Sequence, residues 1–377
     1  MSAAPPAPAA GDGTGAGHPL PAPVPSEAER TNRGTHGLLD GPMPFPVIDA
    51  CVQIWNDADF AAAHRHGVAC YAVTTWWPRV PFADALHAMR VWRRRLAEAP
   101  NLDLAGEAED VRRAWREGRA TVMLASQDGE ILGDDPERLE LLHALGLRMM
   151  IPAYNRNNRL CGGALDTNDP GFSGLGRTAI EVANRVGVLL DGTHLGPRSA
   201  RELVDRSAEP VVFSHSNPAA VVPNPRNVPD ATIRAVAERD GVVCLVNWGP
   251  LVYRAGSRRR PTLAEFLDLI DHVADRTGGT RAIGLGTDFS LGSYPIKGRD
   301  RWGAHYAPAR GEHDTVVTTW PRAPERFVEG FDDYAQLPDV VRGLRERGYD
   351  DADVAGMLGG NLMRVWDRVA AAAAGRN

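Results

Sequence analysis

The chain has 377 residues, enough for one large barrel or two modest domains. With 43% apolar and 24% charged residues it has the composition of an ordinary globular protein, and a net charge of −6 gives no support to nucleic-acid binding, which favours a concentrated basic patch. The four cysteines (Cys51, Cys70, Cys161, Cys244) form no C-x-x-C pair, which argues against a zinc ribbon or a thioredoxin-like motif, and so few in a chain of this size argue against a disulfide framework.

Residues 1–35 are rich in Ala, Pro and Gly and poor in large apolar side chains. Such a segment cannot bury enough surface to offset its ordering entropy, and a disordered tail is expected. It lacks a charged region followed by an apolar one, so no secretory signal is read there. No stretch reaches the roughly 18–20 apolar residues of a membrane span. A cytoplasmic location follows by default.

From Pro46 onward apolar runs alternate with amphipathic stretches, and 36–377 reads as a single domain. Strands are expected at 46–53, 69–75, 120–126, 148–154, 186–192, 211–216, 241–247 and 282–288. Helical spacing of apolar residues marks 82–99, 135–145, 177–185, 199–206, 230–240 and 262–276. Leu102–Gly106 is a spare short strand or part of a connection. Eight strands alternating with helices predict an α/β fold, a (β/α)8 TIM barrel. An open doubly wound sheet would carry a Gly-rich phosphate loop after an early strand, and none is found. The segment 292–330 breaks the rhythm and reads as a lid or a disordered insertion. Beyond it, 333–369 is helical in pattern, with a break at Gly359-Gly360.

Three strand candidates end in reactive groups: His194, His215 and Asp288. An α/β barrel collects its active site at the ends of its strands, and neutral imidazole is a common ligand of divalent metals. The plain alternative is a set of hydrogen-bonded strand-end residues. Other strand ends, where a metal site would want carboxylates, carry Gln53 and Gln127.

The segments around His194 and His215, then Asn224-Pro225-Arg226-Asn227-Val228-Pro229-Asp230, Gly284-Leu285-Gly286-Thr287-Asp288-Phe289 and Gly359-Gly360-Asn361-Leu362-Met363-Arg364-Val365, occur in the order and at the spacing of a known family. The chain resembles the membrane (renal) dipeptidase family, peptidase M19, over about Val47 to Val369. The resemblance implies a barrel of the amidohydrolase type that hydrolyses dipeptides with two bridged zinc ions. It also implies roles: His194 and His215 as ligands of the second zinc, Arg226 as the clamp on the substrate carboxylate, and Asp288 as the acid/base. Departures stand at the remaining positions. Where the family has a ligating His and Asp at the end of the first strand, this chain has Cys51 and Gln53. Gln127 replaces the bridging glutamate, and Tyr154, followed by Asn155, replaces a substrate-binding histidine. Asp128 is displaced by one residue, which turns its side chain to the opposite face.

Without the bridging anion the two-zinc arrangement is expected to be absent. Three alternatives stay open. A single zinc could use His194, His215 and Cys51. A metal-free enzyme could use His194, His215, Asp288 and Cys51 or Tyr154, with Cys51 as a nucleophile if a nearby histidinium lowers its pKa. The third is a non-catalytic binding protein. The expected substrate is a small carboxylated dipeptide or amino-acid-like molecule, contacted by Arg226, Tyr154, Asn155, Gln127 and Gln53. Besides hydrolysis, an isomerase, lyase or condensing reaction of specialised metabolism is open. A homodimer is open as well; nucleic-acid and membrane partners are not expected.

Overall fold

The computed structural model describes residues 43–54, 66–76, 78–254, 259–291 and 327–376. The strands are β1 (Val47–Ile54), β2 (Val68–Thr74), β3 (Leu102–Leu104), β4 (Ala120–Ser126), β5 (Leu147–Met150), β6 (Leu189–Leu190), β7 (Val212–Phe213), β8 (Val242–Leu245), β9 (Ile283–Leu285) and β10 (Phe289–Leu291). Every pairing among them is parallel. One sheet runs β10-β1-β2-β4-β5-β6 and a second runs β7-β8-β9.

Two junctions join these sheets into a ring. Asp191, just past β6, bridges to Val212 of β7, and the Gly192 amide donates to the Val212 carbonyl at 2.8 Å. On the other side β9 and β10 are one chain path interrupted at 286–288, with β9 on β8 and β10 on β1. The result is the expected (β/α)8 barrel. Its eighth strand is split, so that its first half closes on β8 and its second half on β1. The spare strand at Leu102–Leu104 pairs with the start of β4, while β5 pairs with the end of β4.

Several expected strands are longer in the sequence than in the fold. Residues 186–192 give a two-residue β6, and 211–216 give a two-residue β7. Val186 instead ends the preceding helix, Gly174–Val186, whose Ser173 side chain caps Gly176. The apolar runs are buried as expected. Their ends bend into turns that serve the site, and burial alone does not say where pairing stops. The helix at 262–276 is found at Leu263–Thr277, started by a Thr262/Glu265 capping box. A helix at Ala108–Arg116 was not anticipated. The C-terminal pattern resolves into Leu337–Glu346, Asp351–Ala355 and Asn361–Ala374, with the break at Gly359-Gly360 in an irregular turn between the last two.

The final helix lays Leu362, Met363, Val365, Trp366 and Val369 into a cluster with Ile48, Cys70, Met123, Met149, Leu189 and Val242 from six different strands. Fully burying each such large side chain contributes about 1.5–3 kcal/mol, so this helix holds the ring from outside the sequence span of the strands. Cys70, Cys161 and Cys244 are buried and unpaired, as small core residues. The tail at 1–35 and most of the 292–330 segment lie outside the described residues. Its last residues return as short bridges, Phe327 to Trp248 and Glu329 to Thr262.

The split strand needs a close backbone approach. A Cβ on Gly286 would lie 1.7 Å from the Ser214 carbonyl oxygen, and the Gly286 amide donates to Leu245 at 3.1 Å. Gly286→Ala is therefore expected to destabilise the fold by about 3 kcal/mol or more, measured by the urea midpoint. A change below about 0.5 kcal/mol would mean that this junction does not close the barrel as described.

Candidate active site at the barrel mouth

The site has two halves. In the first, Asn155, His194, His215 and Arg226 are all buried. The His194 Nδ1 donates to the Asn155 Oδ1 at 2.6 Å, which leaves the His194 Nε2 as an acceptor. That nitrogen accepts from the Arg226 Nη2 at 3.2 Å and from the His215 Nε2 at 2.9 Å. The Ser214 hydroxyl in turn donates to the His215 Nδ1 at 2.8 Å. Both imidazoles are thus neutral and fully engaged. Burial, reinforced by the Arg226 charge, pushes the His215 pKa well below the usual histidine range. The Tyr154 ring lies against His194 with centroids 4.1 Å apart.

Arg226 is 4% exposed, and among the described residues no carboxylate lies within ion-pair distance of it. Burial pushes its pKa down to about 10, which still leaves it a cation at neutral pH. A small cleft, partly open to solvent, lies beside His194 and Arg226, with Leu195, Pro197, Phe213 and Val228 among its walls.

The second half gathers Cys51, Gln53, Gln127 and Asp288. The Gln53 Nε2 donates to the Asp288 Oδ1 at 3.2 Å, and the Cys51 thiol points to the same oxygen at 3.6 Å. The Gln127 Nε2 lies 3.2 Å from the Cys51 sulfur. The Gln53 Oε1 is buried without a hydrogen-bond partner. The Cys51 pKa is pushed well above the ordinary thiol value, first by burial and then by the charges of Asp288, Asp49 and Asp191.

A thiolate nucleophile would need a cation beside it, and the charges that raise the Cys51 pKa are the carboxylates of Asp288, Asp49 and Asp191. Among the described residues no three His, Cys, Asp or Glu side chains converge as a metal-binding group. Asp128 behaves as its register requires. Its carboxylate accepts from the backbone amides of Arg79 and Glu130 and from Asn158, away from Cys51.

Sequence reasoning missed two aspartates that build the site. The Asp49 Oδ1 accepts from the backbone amides of Cys51 at 3.1 Å and Thr287 at 2.8 Å. Its Oδ2 accepts from the Thr287 hydroxyl and from the Tyr334 hydroxyl. The Asp191 Oδ1 accepts from the backbone amides of Thr193 at 2.9 Å and Ser214 at 3.0 Å. Both carboxylates are fully buried, and burial raises the pKa of each, that of Asp49 to about 6. The available signal was an aspartate inside an apolar run two residues before a candidate site residue or its neighbour, the spacing of an Asx turn.

Backbone conformation marks the same residues. Asn155, His194 and Asp288 have φ of 60°, 70° and 58°, in the left-handed region that L-residues other than glycine rarely adopt. Such conformations persist where the surroundings over-determine them, and they cluster at functional sites.

The model of the Peptidase M19 family, membrane dipeptidase, matches residues 57–300 and 318–377. The chain belongs to this family. Curated relatives include the dipeptidase tcpJ of Claviceps purpurea, 27% identical over 266 residues, covering 70% of this chain and 54% of the relative. The dipeptidase verJ of Clonostachys rogersoniana is 27% identical over 271 residues, covering 71% of this chain and 60% of the relative. The M19 chain described here therefore spans about half to three fifths of the length of these curated relatives. Among solved structures, an amidohydrolase from Pseudomonas aeruginosa superposes with a TM-score of 0.75 at 23% identity, covering 87% of this chain and 97% of that one. A metallo peptidase from Rhodobacter sphaeroides, liganded with a phosphinate mimic of the dipeptide L-Ala-D-Ala, gives a TM-score of 0.69 at 20% identity, covering 86% of this chain and 99% of that one. These likenesses show a shared fold. No helix among the described residues of this M19 member is long and apolar enough to cross a membrane.

The left-handed kink at Asp288 yields a stability test. Asp288→Gly is expected to be more stable than Asp288→Ala by about 1 kcal/mol, because only glycine adopts this φ without strain. Equal thermal midpoints for the two variants would contradict the kink.

Proposed function

We propose that this M19-family chain acts on a small carboxylated dipeptide or amino-acid-like substrate at the barrel mouth, without a dinuclear zinc centre. The observation that carries the proposal is Arg226, a buried guanidinium with no counter-ion among the described residues. An unpaired buried cation is costly, and a substrate carboxylate would offset that cost through bidentate hydrogen bonds.

The donor set supports the second half of the reading. Two dications about 4 Å apart repel by roughly 16 kcal/mol at an effective dielectric near 20, four times the figure for unit charges. In the family a bridging carboxylate and an aspartate offset that repulsion. Here those positions are Gln127 and Gln53, neutral amides engaged with Cys51 and Asp288. The imidazole nitrogens that would face a metal are bonded to each other and to Arg226. These residues do not fit a pair of zinc ions, and no step is assigned to one.

The reaction then rests on the side chains. Arg226 fixes the carboxylate end of the substrate. Asp288 takes a proton from the water that attacks the amide carbonyl and delivers it to the departing amine, so that the carboxylate is regenerated. Cys51 and Gln53 donate to Asp288 and fix its orientation. A second reading, proton transfer at carbon by an isomerase or lyase, is favoured by the protonated Cys51 beside Asp288, which is an acid paired with a base.

A dipeptide panel incubated with chelator-treated protein and followed by mass spectrometry tests the reading. Hydrolysis adds one water across the substrate, whereas isomerisation leaves its mass unchanged. Turnover is expected to survive the chelator, and Arg226→Gln is expected to raise KM by roughly 100-fold, as loss of a buried charge-assisted contact of about 2–5 kcal/mol implies. Turnover that appears only with added zinc, or an unchanged KM in Arg226→Gln, would contradict the proposal.

A further inference from the structure

We infer that Asp49 and Asp191 are positioning residues, a matched pair of buried clamps that set the four reactive side chains of the mouth. The inference rests on the reading of Cys51, His194, His215 and Asp288 as that reactive group. The two clamps share one design. Asp49 stands within β1 where its register against β2 shifts, Asp191 stands just past β6, and the Oδ1 of each accepts an amide two residues further on, from Cys51 or from Thr193. The same oxygen accepts a second amide from the end of a neighbouring strand path, from Thr287 or from Ser214. Cys51 is held directly. The other three held amides belong to the residues immediately before His194, His215 and Asp288. All four reactive residues are thus fixed at, or one residue beyond, an amide bonded to a buried carboxylate. Two of the four, His194 and Asp288, are also the ones with left-handed backbone.

The clamps lie exactly where the ring is weakest in regular pairing. β6 and β7 are two residues each, and β9 and β10 are separate pieces. A charge-assisted hydrogen bond is roughly twice as strong as a neutral one, and one carboxylate oxygen satisfies two amides that would otherwise be buried without a partner. The clamps differ in their second oxygen. In Asp49 it accepts from Thr287 and Tyr334, whereas in Asp191 it is buried without a hydrogen-bond partner. Asparagine at 191 keeps the oxygen that matters and replaces only the one that bonds nothing.

The test reads the imidazoles and needs no substrate. Full-length wild type, Asp191→Asn, Asp191→Ala and Asp128→Ala are compared by proton–nitrogen NMR of the histidine side chains and by thermal unfolding. Asp128 is a control, since it is a buried aspartate that also accepts two backbone amides but holds none of the four reactive residues. The slowly exchanging N–H signals of the His194–His215 pair are expected in wild type, in Asp191→Asn and in Asp128→Ala, and absent in Asp191→Ala. Asp128→Ala is expected to melt lower than wild type with these signals unchanged, which separates loss of stability from loss of positioning. Persistence of the signals in Asp191→Ala, or their loss in Asp191→Asn, would overturn the inference. If Asp191→Ala does not fold, the result in Asp191→Asn together with the control decides it. Failure of the dipeptide assay would leave this readout untouched.

Discussion

The site depends on backbone hydrogen bonds at strand ends. A parallel barrel pairs the middles of its strands by regular ladders, but its chemistry must be carried where the ladders stop. There the chain turns away, and amides left by the ladder need acceptors. In this M19 member the buried carboxylates of Asp49 and Asp191 supply them across two junctions of the ring. The close approach of Gly286 to Ser214 ties the same region together. His194 and Asp288 are held there in left-handed backbone, at a cost that the surrounding bonds offset.

Charge on the mouth is arranged in two poles. One holds Arg226 beside two neutral imidazoles, and the other holds Asp288 among neutral donors. The His215 imidazole stays neutral because burial and the guanidinium both oppose a positive charge on it. The thiol of Cys51 stays protonated because burial and three carboxylates oppose a negative one. Replacing a carboxylate by an amide at 53 and at 127 thus changes more than two side chains. On the proposed reading, each amide keeps one oxygen but carries no negative charge, and its nitrogen lies against Asp288 or Cys51.

Much of this was legible in the sequence, and the limits were physical. The barrel followed from alternating apolar runs and amphipathic stretches. His194, His215 and Asp288 could be named because each closes such a run. Strand length was not legible at β6 and β7, where residues remain buried after pairing has ended. The state of Cys51 was not legible either, since it follows from burial and then from Asp288, 237 residues away. Asp49 and Asp191 were hidden because a single aspartate inside an apolar run says nothing of which amides it meets. Gln53 and Gln127 stood out at strand ends where a metal site would want carboxylates, and the family resemblance aligned them with ligand positions; their contacts with Asp288 and Cys51 required the fold.

The account stands on the claim that Gln53 and Gln127 leave this barrel unable to hold two bridged metal ions. Crystals grown with excess zinc and measured on both sides of the zinc absorption edge test it most directly. The account predicts no pair of anomalous peaks between Cys51, Gln127, His194 and His215. Two peaks separated by about 3.5–4 Å, the spacing of a dinuclear site, would contradict it.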